Sequence, residues 1–120
     1  MHTLALILVG LVMLEHVYIM IMEMFLWTTP RVRQTFGTSE AFATESAPLA
    51  ANQGLYNGFL AAGLVWGLMT GQRDVMTFFL ACVMVAALYG GAMVSPRIAV
   101  VQGLPALLAG LALWLSTGWN

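Results

Sequence analysis

The chain contains no lysine, and its charge rests on four arginines and five carboxylates, 8% of all residues. A soluble domain carries roughly 25% charged residues, so this composition excludes an ordinary water-facing surface. Arg31, Arg33, Arg73 and Arg97 form no basic patch, which excludes a nucleic-acid partner, and the net charge of −1 points to no partner class. Cys82 is the single cysteine, so neither an intramolecular disulfide nor a thiolate metal cluster can form. Lys and Arg are missing ahead of the first apolar run, and that run carries Glu15 and His16 at its middle. It therefore reads as a retained helix and not as a cleaved signal peptide. The alternating runs of about ten residues that build a transmembrane barrel are missing as well.

What remains is 61% hydrophobic. Apolar stretches of about 20 residues mark membrane spans, and four are legible, at about 3–27, 49–69, 75–94 and 98–115. The expectation is an all-α integral membrane protein in contact with the lipid bilayer. It would be a four-transmembrane-helix bundle forming one domain over residues 1–120, with a polar loop at 28–48. Arg31, Arg33 and Arg97 fall in loops on one side and Arg73 alone on the other. The positive-inside rule then puts loops 28–48 and 95–97 in the cytoplasm and both termini outside an inner (plasma) membrane.

The first span ends at Trp27, a residue suited to the interface, and Pro30 is expected to stop it. Ser39-Glu40 is the expected start of a short helix in the loop, ending near Glu45. In the second span Gly54, Gly58 and Ala62 recur every four residues, and Gly63, Gly67 and Gly71 form a second stripe. Such stripes pack helices within a bundle or between copies, so a homo-oligomer stays open. Trp119 is placed at the outer interface. The halves carry a weak parallel repeat, with Thr29-Pro30-Arg31 against Ser95-Pro96-Arg97 and Gln53-Gly54-Leu55 against Gln102-Gly103-Leu104. It sets Tyr89 at the place of Glu23.

Glu15, His16 and Glu23 stand out because an ionisable group at membrane depth costs ~3 kcal/mol or more and normally faces a protein interior or a water-filled cavity. His16 and Glu23 are seven apart and so only about 20° apart around a helix. Glu23 lies about 6 Å and His16 about 16 Å inside the cytoplasmic end of the span. Asn52, Gln53, Tyr56, Asn57, Tyr89 and Gln102 fall at similar depth, and this clustering in one half of the bilayer suggests a shared polar pocket. Taken singly, the amides also suit interhelical hydrogen bonds and the tyrosines suit interfacial anchors. For Glu15, His16 and Glu23 a functional role is favoured, since a carboxylate is an expensive way to join helices.

One helix supplies few metal ligands, and paired Glu-x-x-His motifs are absent, so no metal is assigned. The cofactor is left unassigned. Two uses of the trio remain. Glu15, His16 and Glu23 can serve acid–base catalysis on a small amphipathic or lipid-soluble ligand oriented by the amides and tyrosines. The same residues can form a solute or proton relay in a small transporter or transporter subunit. A structural membrane partner is the third class.

The Glu-His-Glu stretch within Leu14–Trp27, the block Ala51-Asn52-Gln53-Gly54-Leu55-Tyr56-Asn57-Gly58-Phe59, and the Ser95-Pro96 and Gln102-Gly103 pairs together resemble a known family. It is the family of small bacterial and fungal integral membrane proteins catalogued as domain of unknown function 1304. The resemblance covers essentially the whole chain, and the Asn-Gln-Gly-Leu-Tyr-Asn-Gly block is its most specific part. It implies a four-helix membrane protein of about this length and brings no activity, so no catalytic residue is carried over. The epimerase label given to some members has no support here, because no strand precedes a nucleotide-binding Gly-rich turn.

Overall fold

A computed structural model describes residues 1–116, which are helical throughout apart from short connections and contain no strand. Trp119 lies outside the described residues. The helices are α1 (His2–Phe25), α2 (Pro30–Phe36), α3 (Glu40–Thr70), α4 (Arg73–Met93), α5 (Pro96–Ile98) and α6 (Leu104–Leu115). A π-helical turn, Ala99–Gly103, joins the last two. Among the described residues, three segments are long and apolar enough to cross a bilayer: His2–Phe25, Arg73–Met93 and Pro96–Leu115. The second expected span falls in α3, where Asn52, Gln53, Asn57 and the glycines dilute the apolar content.

The structure moves several boundaries, and proline is responsible for most of the changes. α1 ends at Phe25, before Pro30 is reached. Pro30 instead opens α2 at its first turn, where a missing N–H is harmless and the fixed φ is already helical. Pro96 plays the same part in α5, with Ser95 as the N-cap whose side chain accepts from the Arg97 N–H. The loop expected at 28–48 therefore holds all of α2 and the first two turns of α3. α3 begins at Glu40, not near Leu49, and continues through Pro48 for 31 residues. Ser39 Oγ accepts from the Phe42 N–H at 3.1 Å and starts the helix as its cap. The π turn immediately precedes Pro105, whose ring cannot coexist with a regular helical bond to the carbonyl four residues back.

α2 and α3 both end on a glycine with positive φ, Gly37 (68°) and Gly71 (66°), the left-handed conformation that closes a helix without a side-chain penalty. In each case the next N–H returns five residues, Thr38 to the Arg33 carbonyl and Gln72 to the Gly67 carbonyl.

The chain packs as two units, Met1–Glu15 with Leu60 onward, and His16–Phe59. The first unit has an apolar core. α1 contributes Ala5, Val9 and Val12, α3 contributes Leu64, α4 contributes Met76, Leu80 and Val83, and α6 contributes Ala106, Ala109, Ala112 and Leu113. These positions recur every three or four residues, as one buried helical face requires. Contact is close because small residues meet large ones: the Phe79 ring lies over Gly63, and Met76 over Gly67. The second unit has a smaller apolar cluster of Ile19, Met22 and Val32 with Trp27 against it.

The Phe79 ring occupies the space that a Cβ on Gly63 would need. Gly63→Ala is expected to lower stability by about 1–3 kcal/mol in detergent. Nothing lies within 4 Å of a Cβ on Gly10, so Gly10→Ala is expected to be neutral or stabilising by up to ~1 kcal/mol. Thermal unfolding followed by circular dichroism checks both.

Candidate functional site

The site is built on the face where α1 and α3 meet within His16–Phe59. In α3 the buried positions Ala43, Ala50, Gly54 and Asn57 follow one another at seven, four and three residues, so they form one stripe of small side chains ending in an amide. Gly54 and Gly58 set the approach. A Cβ on Gly54 would fall 2.7 Å from Met24 Cγ, 3.0 Å from Glu23 Cβ and 3.1 Å from the Met20 carbonyl oxygen. A Cβ on Gly58 would fall 2.7 Å from Met20 Sδ. Glycine is therefore required at Gly54, where a Cβ would meet Glu23 Cβ and backbone. At Gly58 the near atom lies towards the end of the flexible Met20 side chain, which can move aside.

This approach buries Glu23 and Asn57, at 9% and 8% exposure, and joins them. Asn57 Nδ2 donates to Glu23 Oε1 at 2.6 Å and to the Gln53 carbonyl at 3.2 Å. Without that amide the carboxylate would be left in an apolar helix seam, where an unpaired charge is strongly unfavourable. His16, 1% exposed, lies two turns up α1 on the same face, about 10 Å from Glu23 along the axis. Further along the seam, Trp27 Nε1 donates to Ser46 Oγ at 3.0 Å, and Ser46 Oγ donates back to the Phe42 carbonyl. The Trp27 ring also packs on Phe36 of α2, with centroids 5.0 Å apart.

The remaining expected residues are placed as follows. Glu15 is half-buried in the other unit, and its Oε2 is buried with no hydrogen-bond partner. Asn52, Gln53 and Tyr56 lie on the exposed side of α3, and the Tyr56 ring meets Phe59 edge-on. Tyr89 and Gln102 belong to the unit that contains α4 and α6; Tyr89 is exposed, and Gln102 is half-buried in the π turn. The positions paired by the sequence repeat thus differ, with Glu23 buried and Tyr89 exposed. Among the described residues, no group of three or more His, Cys, Asp and Glu side chains converges as metal ligands would. Sequence reasoning missed the Trp27–Ser46 link. The only available signal was an indole NH near a serine across a presumed loop, too weak to single out.

Comparison with known proteins covers most of the chain. Residues 10–114 match the model of a family described as "Protein of unknown function (DUF1304)". The uncharacterized protein YpaA of Lactococcus lactis subsp. lactis (strain IL1403) is similar to this chain. It is 33% identical over 113 residues, which cover 91% of this chain and 95% of its own. No solved structure matches.

The buried pair can be tested by substitution. Glu23→Gln keeps an acceptor for Asn57, so stability in detergent is expected to be unchanged or higher. Asn57→Leu strands the carboxylate and is expected to cost about 2–3 kcal/mol. Adding Glu23→Leu to it should restore most of that loss, and the double-mutant cycle measures the coupling.

Proposed function

The chain belongs to the family of proteins of unknown function DUF1304, and on its buried polar seam we propose a membrane protein that binds a small amphipathic or lipid-soluble ligand and exchanges a proton with it. Glu23 is the proton-exchanging group, Asn57 holds its carboxyl in place, and His16 reads the ligand two turns away. The observation that supports this is the Glu23–Asn57 bond, 2.6 Å long and buried at a glycine-lined helix seam. Structural joining of helices needs no charge; two amides would serve at lower cost in a bilayer. A carboxylate kept there and held by one donor suits a group that must give and take a proton. Glu15, half-buried with an unpartnered oxygen, is a second proton-handling group in this reading. Asn52, Gln53 and Tyr56, in the same unit as Glu23, are assigned secondary roles in holding the ligand.

In the same reading the chain crosses an inner (plasma) membrane four times as a helical bundle, with α3 among the spans. Both termini lie outside, and the connections around Arg31, Arg33 and Arg97 are cytoplasmic. Three apolar helices and the bias of three arginines against one support it. A Cys82→Ser chain with one new cysteine at the exposed position Gln34 should react with a membrane-impermeant maleimide only after the cells are opened; labelling of intact cells would reverse the topology.

The ligand reading is tested by native mass spectrometry of the protein purified in mild detergent. A small molecule is expected to co-purify with the wild type and to be lost in Glu23→Gln, which keeps the fold. An identical set of bound species in both proteins would defeat the proposal. Turnover of the identified ligand in detergent marks an enzyme, and gradient-dependent movement in proteoliposomes marks a relay.

A further inference from the structure

A second feature lies in the unit formed by Met1–Glu15 and Leu60 onward, on the outward side of α4 and α6. A groove of about 550 Å³ runs between these helices, lined by Arg73, Asp74, Thr77, Phe78, Gly110 and Trp114. Its polar groups sit at one end. Arg73 and Asp74 open α4, and Arg73 Nη2 donates to the Trp114 carbonyl at the close of α6, at 3.1 Å. That bond uses one of the five N–H donors of the guanidinium and fixes it at the mouth of the groove. One turn deeper the lining becomes apolar. Phe78 and Trp114, 62% and 73% exposed, form the walls. Gly110 forms a notch between them, with nothing within 4 Å of where its Cβ would stand.

Phe78 also begins a second furrow, of about 620 Å³, that continues down α4 over Ala81, Cys82, Val85 and Ala86 to Tyr89. From Phe78 to Tyr89 the helix rises about 16 Å, roughly half the thickness of a hydrocarbon core. The small side chains at Ala81, Cys82 and Ala86 give the furrow its floor. Joined at Phe78, the two open grooves grade from a cation and an anion, past the Thr77 hydroxyl and the Phe78 ring, into a shallow apolar furrow about one leaflet long.

We infer that this groove is a binding site for one glycerophospholipid with an ethanolamine headgroup. Arg73 takes the phosphate, Asp74 accepts from the primary ammonium, and one acyl chain lies over Gly110 and along the furrow to Tyr89. The charge pattern selects this class. A lining with one positive and one negative group matches a zwitterion, and Asp74 opposes a headgroup with net negative charge. A choline headgroup lacks the N–H donors that a carboxylate would receive. Arg73 at the end of a span is also the position from which a guanidinium reaches lipid phosphates. The inference rests on the membrane reading but not on Glu23.

The test uses the full chain incorporated into nanodiscs of equimolar phosphatidylethanolamine, phosphatidylcholine and phosphatidylglycerol. After extraction, native mass spectrometry records which lipid stays bound. Retained phosphatidylethanolamine is expected to exceed each competitor about tenfold, the ratio expected for one charge-assisted hydrogen bond. Gly110→Leu should fill the notch and lower retained lipid about tenfold with unchanged helicity. Asp74→Asn, at an exposed position, should abolish the preference over phosphatidylcholine even if Gly110→Leu folds poorly. Retention in bulk proportion, or a preference for phosphatidylglycerol, overturns the inference. Glu23→Gln should leave retained phospholipid unchanged, which separates this site from the ligand seam. Recovery of the protein from cells without detergent would instead refute the membrane reading itself.

Discussion

The close approach of α3 to α1 at Gly54 and Gly58 is the constraint on which the polar seam depends. Each glycine lies within 2.7 Å, Cβ position to nearest atom, of a methionine of α1. Any side chain at either position would push the helices apart or displace Met20 and Met24. A shift of one ångström would already lengthen the 2.6 Å bond from Asn57 to Glu23 beyond useful geometry. In an apolar seam that bond has no water to replace it, so the separation of the two backbones controls whether the carboxylate is paired. The glycines are therefore electrostatic residues as much as packing residues.

Much of this seam was legible in the sequence. The seven-residue spacing of His16 and Glu23 places both on one face, and the structure buries both. The small-residue stripe through Gly54 and Gly58 was visible as a helix contact. What could not be read was which amide among Asn52, Gln53 and Asn57 faces inward. All three lie within two turns, and the choice depends on the rotation of α3, which the glycines and the Trp27–Ser46 bond determine together. Asn57 shares the buried stripe with Gly54 and Ala50, whereas Asn52 is turned well away from it. The tyrosines show the same limit, since a Tyr in an apolar helix fits a polar pocket and an exposed interfacial face equally well.

The prolines show a different limit. Reading Pro30 as a helix stop follows from the missing N–H, yet only position within the helix decides what a proline does. Pro30 and Pro96 each follow a hydroxyl residue in extended conformation, Thr29 and Ser95, and so begin helices. Pro48 is carried inside α3, whose start is held by the Ser39 cap and by Ser46 bonded to Trp27. Tertiary contacts there override a local preference, and no local pattern announces them. Pro105 is accommodated by widening one turn ahead of it, which also places Gln102 in a π turn and not on a regular helix face.

The two packing units rely on different physics, and α1 and α3 each contribute to both. α1 buries Ala5, Val9 and Val12 in one and His16, Ile19, Met22 and Glu23 in the other. α3 buries Ala61 and Leu64 in the unit of Ala5, Val9 and Val12, and Ala43, Ala50 and Asn57 in the unit of His16 and Glu23. The unit with α4 and α6 is held by close fit, with alanine and glycine set against larger side chains such as Phe79 and Met76. α3 has too many amides and glycines for apolar content alone to hold it. Its polar half needs a partner that satisfies Asn57, and Glu23 is that partner. The charge that is costly for α1 to bury is thus the group that gives α3 a defined register, so removing ionisation and removing the hydrogen bond at Glu23 are physically separate perturbations.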